Sequence, residues 1–167
     1  MRGGWQPLTP IAAFDVTSSL GYRDGTIYYT SLLAGGITAL PVTGGPATTI
    51  ATGPFEELWV EGDRLLVAGG GQGTQFFDVP ISGGTPTLLL DGSAGRTDAG
   101  YQTAYAVTAT DFFWLEERPP PAGPGPTAAW RASRSTGAVT PIGSASAVYP
   151  GGDILVLQHM AVGSDAE

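Results

Sequence analysis

The 167-residue chain contains no cysteine and no lysine, and its single histidine is His159. Without cysteine it forms no disulfide, no thiolate metal site and no cysteine nucleophile. One imidazole without thiolates leaves a zinc site to be completed by carboxylates, an uncommon donor set. His159 is therefore read as a plain surface or edge residue. Charged residues make up only 13% of the chain, too few for long solvated helices with a fully polar face. No apolar run approaches the roughly 20 residues of a membrane-spanning helix. The opening "MRGGWQPLTP" lacks the apolar stretch of a signal peptide, and the compartment is left open.

Clustered positive charge is also missing. All seven basic residues are arginines, scattered along the chain against fifteen acidic ones, for a formal net charge of −8. Phosphate backbones and anionic membrane surfaces attract clustered cations, so neither nucleic acid nor membrane is an expected partner. The exclusive use of arginine reads as the codon bias of a GC-rich genome.

What is present is glycine (26), proline (14), and aromatic and β-branched residues spread over the whole length. That composition suits many short strands joined by tight turns and argues against disorder. One stretch is written twice: "LPVTGGPATTIATG" from Leu40 returns 39 residues later as "VPISGGTPTLLLDG" from Val79. Pro41 falls on Pro80, Gly44-Gly45 on Gly83-Gly84 and Gly53 on Gly92. The glycine pair supplies the positive φ of a tight hairpin. "LTPIA" from Leu8 and "VTPIG" from Val139 extend the pattern, making Ile11, Ile50, Leu89 and Ile142 equivalent. Their spacings are 39, 39 and 53, and the Pro/Gly insertion "ERPPPAGPGP" at Glu117–Pro126 accounts for most of the last excess.

Three further strands per unit follow. The first are "DVTSSL", "EELWV", "TAYAV" and "SAVYP"; the second "TIYYTS", "RLLVAG", "DFFWLE" and "DILVLQ"; the third "GITALPV", "TQFFDVPI" and "TAAWRAS". The second strands are continuous apolar runs, as expected where both sheet faces are covered. Four short strands in about 40 residues, stacked face to face with their neighbours, describe a β-propeller blade. The expected fold is all-β, a propeller of about four four-stranded antiparallel repeats in one domain over 1–167. The units run roughly 6–13 (last strand only), 14–53, 54–92, 93–143 and 144–160 (incomplete).

"DGTIYYTSLLAGGITALPVTGG" from Asp24 resembles a degenerate unit of the YWTD-type propellers, with Tyr28-Tyr29-Thr30-Ser31 where that family carries its tetrad. The "LPVTGG" and "VPISGG" turns are similar to those of bacterial propellers with "VPLDGG"-like turns. The resemblance spans about Pro7 to Gln158. Ser31 replaces the aspartate, and the other units carry "LLVA", "FFWL" and "ILVL". It implies a propeller fold and a habit of protein or ligand binding, with no catalytic residues to transfer.

The last unit lacks a third strand. Three explanations stand side by side: a part of a larger propeller, a ring shared by several copies such as a homodimer, or a four-bladed ring with one defective blade.

No side chains combine a nucleophile, a base and an orienting group. No catalytic, cofactor-binding or metal-binding residue is assigned, and no cofactor is expected. "AGGGQGTQ" from Ala68 lacks the "GK[ST]" ending of a phosphate loop and reads as a hairpin. "GYRDG" from Gly21 and "DGSAGRTDAG" from Asp91 lack the aspartate spacing of calcium loops and read as plain turns. Glu56 and Glu57 read as a solvated strand start, since neighbours on a strand face opposite ways. Trp59, Trp114 and Trp130 read as packing between blades rather than carbohydrate stacking. "WLEERPPPAGPGP" from Trp114 is a loop able to present a polyproline II segment. The leading expectation is a non-catalytic binding or scaffold module for a protein, small-molecule or carbohydrate ligand. The alternatives are a cation-dependent hydrolase or lyase using Asp15, Glu56 and Asp98, and an inactive fragment of a larger propeller.

Overall fold

The structure, a computed structural model, describes residues 17–31, 35–70, 74–96, 100–117 and 127–145. Ile11, Asp15, Asp98, His159, most of the Pro/Gly insertion and the incomplete terminal units lie outside these residues. Twelve strands run in chain order through the described residues. They are β1 (Thr17–Arg23), β2 (Thr26–Ser31), β3 (Gly36–Pro41), β4 (Thr48–Thr52), β5 (Phe55–Glu61) and β6 (Arg64–Gly69). Then follow β7 (Gln75–Pro80), β8 (Thr87–Asp91), β9 (Tyr101–Val107), β10 (Asp111–Glu117), β11 (Thr127–Ser133) and β12 (Val139–Ala145). They form three four-stranded sheets: sheet I, β1 to β4; sheet II, β5 to β8; sheet III, β9 to β12. Each is an antiparallel meander with strands in sequence order.

The repeated glycine pairs make the same turn twice. Gly44 and Gly45 have φ of 90° and 129°, and Gly83 and Gly84 have 90° and 141°, values open to glycine but strained for other residues. The Gly44 and Gly83 amides donate to the carbonyls of Pro41 and Pro80 at 3.1 and 2.9 Å. Likeness of sequence here is likeness of backbone conformation. The Gly84 amide also donates to the Ile50 carbonyl at 3.1 Å, so the turn of sheet II rests on the outer strand of sheet I.

Apolar residues of the second and third strands project to both faces and form two cores. Between sheets I and II, Tyr28, Ile37 and Ala51 meet Phe55, Leu58, Leu65, Val67 and Val79. Between sheets II and III, Leu66, Ala68, Phe76 and Leu90 meet Tyr105, Phe112, Trp114 and Ala132. Alternate residues of β6 thus serve different cores, Leu65 and Val67 one and Leu66 and Ala68 the other. That two-sided burial is why β6 reads as an unbroken apolar run. Strands β1 and β5 lie against each other, so the first strand of each sheet is the inner one.

Candidate functional site

Ser19, Thr30, Glu56, Glu57 and Tyr105 converge at the inner strands. The Ser19 amide donates to Thr30 Oγ1 at 3.0 Å, and the fully buried Thr30 hydroxyl donates to the Glu56 carbonyl at 3.1 Å. The Leu58 amide donates to Ser19 Oγ at 3.1 Å, and that hydroxyl lies 3.3 Å from the Leu58 carbonyl. These hydroxyls do between sheets what backbone pairs do within one: they satisfy polar groups that water cannot reach.

Here the structure corrects the reading of Glu56 and Glu57 as a solvated strand start. The pairing of β5 with β6 shifts register between Phe55 and Glu57, a bulge at Glu56. A bulge breaks the simple alternation of faces and re-aims side chains. Both glutamates are half-buried. Glu56 Oε2 accepts from the Tyr105 hydroxyl on β9 at 3.0 Å, which joins sheets II and III at the inner strands. Burial pushes the Glu57 carboxyl above its ordinary value; its hydrogen bond with Ser19 opposes the shift and the Glu56 charge adds to it. Burial likewise pushes the Tyr105 phenol up, helped by the Glu56 charge and hydrogen bond, so Tyr105 is a neutral donor.

The raised Glu57 value fixes the sign of a pH effect. A carboxyl whose folded value exceeds its unfolded one stabilises the fold fully below the unfolded value. That contribution is lost as pH rises through the folded value. Glu57→Gln is therefore expected to raise Tm at about pH 7, with the gain closing as pH falls to about 3, below the unfolded value, where the wild-type carboxyl is protonated in both states. Thermal melts at the two pH values check this; an equal gain at both would place the effect in packing and not in charge.

A second cluster ties the turn after β8 to sheet III. Asp91 Oδ1 accepts from the Ser93 amide at 3.0 Å and its hydroxyl at 2.6 Å, and these bonds, the hydroxyl's first, hold the Asp91 carboxyl below its ordinary value. Three residues further on, Arg96 places both terminal nitrogens on Glu116, at 2.8 and 2.6 Å. Glu116 is 2% exposed and also accepts from Trp114 Nε1 at 2.8 Å. The Arg96 guanidinium lies 3.7 Å from the centre of the Trp130 ring, and Trp130 stacks on Trp114 at 6.4 Å. The segment read as a plain turn is thus a latch. Sequence reasoning missed the pair because its members are 20 residues apart and neither stands in a motif. A glutamate two places after a core tryptophan, hence on the same strand face, was the available signal.

Trp114 is fully buried, while Trp59 and Trp130 are half-buried and packed against the same core. At the opposite strand ends a groove of about 240 Å³ between sheets II and III is lined by Glu61, Arg64, Leu66, Asp78, Phe112 and Arg134, with Leu89. Its charges are paired: Arg134 holds both oxygens of Glu61 at 2.9 and 2.7 Å, and Arg64 bonds Asp78.

Among the described residues no three side chains of histidine, aspartate or glutamate gather into a metal site, and no helix is long and apolar enough to cross a membrane. Asp15 and Asp98, proposed beside Glu56 for the cation-dependent alternative, lie outside those residues.

No protein-family model matches the chain, and no curated protein matches it significantly. Solved structures do. A chain from a nidogen/laminin complex aligns with a TM-score of 0.57 at 13% identity, over 78% of this chain and 49% of its own length. A protein assigned as TolB from Agrobacterium tumefaciens aligns with a TM-score of 0.51 at 14% identity, over 77% and 46%. Both are β-propellers, and with three stacked four-stranded antiparallel sheets the fold here is of that class. The chain spans about half the length of either structure.

Proposed function

We propose that this chain is a non-catalytic binding module whose ligand meets the inner-strand surface at Glu56 and Glu57, with the buried Tyr105 holding Glu56 from behind. The observation that carries the reading is Glu57, a half-buried carboxyl held above its ordinary value beside a second carboxylate. Such a group lowers stability at neutral pH, and perturbed carboxyls of this kind concentrate at functional sites. An ionised carboxylate is acceptor-only, so the ligand offers donors: an arginine or lysine side chain of a partner protein, or the hydroxyls of a carbohydrate. One structural neighbour was solved in a protein–protein complex, which favours the protein ligand. We further read the chain as a degenerate, bacterial relative of the YWTD-type repeats. Tyr28, Tyr29, Thr30 and Ser31 are all buried on β2, and Thr30 bonds across to β5. In that setting the tetrad supports the fold, and the ligand-facing groups come from the strand beside it.

The test is to probe arrays of basic peptides and of neutral glycans with the wild-type chain and with Glu56→Gln/Glu57→Gln. The expected result is a set of hits that weaken about tenfold or more in the double variant, as for loss of a charge-assisted hydrogen bond. Hits that bind both proteins alike would sink this placement of the site.

A further inference from the structure

We propose that the groove between sheets II and III is a docking socket for a glycine-pair turn of a partner protein. An apolar residue of that turn enters beside Leu89, and one of its glycine amides donates to the Leu89 carbonyl. Strand register makes the three outer strands comparable residue by residue. The pairing of β3 with β4 skips Ile50, that of β7 with β8 skips Leu89, and that of β11 with β12 skips Ile142. Each is the extra residue of a bulge, left out of the ladder at one position in three sheets. The residue after each third strand is comparable as well: the amides of Val42, Ile81 and Arg134 donate to the carbonyls of Gly25, Asp63 and Thr110 at 2.8, 3.0 and 2.8 Å.

Between sheets I and II the bulge is capped. Ile81 packs against the core there, and the Gly84 amide donates to the Ile50 carbonyl at 3.1 Å. Gly83 sits so close that an added Cβ would lie 3.2 Å from the Ile50 oxygen. Ile50 is half-buried beneath this turn. Between sheets II and III the same cap does not form. Arg134 stands where Ile81 stands and turns to Glu61, and Thr136-Gly137 stand where Gly83-Gly84 stand. Of these two only Gly137 has a positive φ, 68°, and its amide bonds back to the Ser133 carbonyl of its own turn at 2.8 Å. A threonine does not take the 90° of Gly83 without strain. Among the described residues no backbone amide of sheet III donates to the Leu89 carbonyl. Leu89 is 44% exposed, and the groove of about 240 Å³ opens beside it. That volume is below the about 300–1,000 Å³ of small-molecule pockets. The charges on its rim cancel as Arg134 with Glu61 and Arg64 with Asp78. The groove therefore suits a short uncharged segment, and the capped interface shows its form: an apolar residue two places before a glycine pair.

The experiment titrates the ¹⁵N-labelled chain with the cap's own sequence, "VPISGGTP" from Val79, as a head-to-tail cyclic peptide, so that the turn is ordered before it binds. The expected result is a dissociation constant of about 1 mM or below, with amide shifts at Leu88, Leu89, Leu90 and Arg134. A cyclic peptide with both glycines replaced by alanine is expected to bind about tenfold more weakly or worse, since alanine is strained at positive φ. Leu89→Arg in the chain, an exposed position, is expected to abolish the shifts. No shift at millimolar peptide, shifts confined to other residues, or equal binding of the alanine peptide overturns the proposal. Signals at Leu88–Leu90 that move with the chain's own concentration before peptide is added would assign the groove to a second copy and overturn it as well.

Discussion

Arg96→Ala is expected to lower stability by about 3–5 kcal/mol, the cost of leaving a buried carboxylate without its cation. Glu116 is 2% exposed and takes both oxygens' charge compensation from one guanidinium, at 2.8 and 2.6 Å. Its other donor, Trp114 Nε1 at 2.8 Å, is neutral and binds one oxygen only. Alanine also removes the guanidinium from the Trp130 face, a contribution of about 0.5–2 kcal/mol by itself. Urea unfolding at neutral pH gives the number. The double variant Arg96→Ala/Glu116→Gln is expected to recover part of the loss, because a neutral amide has a far smaller desolvation cost than an unpaired charge. A single variant within about 0.5 kcal/mol of wild type would mean that water reaches Glu116 and that the turn after β8 is no latch.

Trp114→Ala is expected to cost about 3–5 kcal/mol as well, by a different mechanism. The side chain is fully buried at the centre of β10, facing Tyr105 on one neighbouring strand and Trp130 on the other. It packs 6.1 Å from Phe76 of sheet II, and Phe76 stacks in turn on Phe112 at 4.3 Å. Removing the indole opens a cavity between two sheets whose backbones cannot collapse into it, and it takes one hydrogen bond from Glu116. Trp114→Phe separates the two effects, keeping most of the volume and losing only the Nε1 donor. Since Trp114 and Arg96 share Glu116, their losses are not expected to add. A simple sum in the double variant would show that the indole–carboxylate bond carries nothing.

The two variants mark the limit of what could be read from the chain. The second strands were legible because each is an apolar run bounded by turn residues, and β2, β6 and β10 lie where "TIYYTS", "RLLVAG" and "DFFWLE" placed them. The "TGG" and "SGG" turns were legible because only glycine enters that φ region without strain. Trp114 as core followed from its place inside such a run. Glu56 and Glu57 were misread because a bulge is a property of strand pairing and leaves no mark in composition. Arg96 was passed over because a lone arginine in a Gly-rich stretch is ordinarily solvated.

Local physics settled the strands, the turns, the repeat and the absence of thiol chemistry from this sequence: each depends on residues close in the chain, or on composition alone. Tertiary structure decided which charges are buried and with whom. Glu116 meets Arg96 across 20 positions, Glu56 meets Tyr105 across 49, and Glu61 meets Arg134 across 73. Those partners are chosen by how three sheets stack, and the stacking follows from burying two-sided apolar strands, a demand that many polar arrangements satisfy equally well.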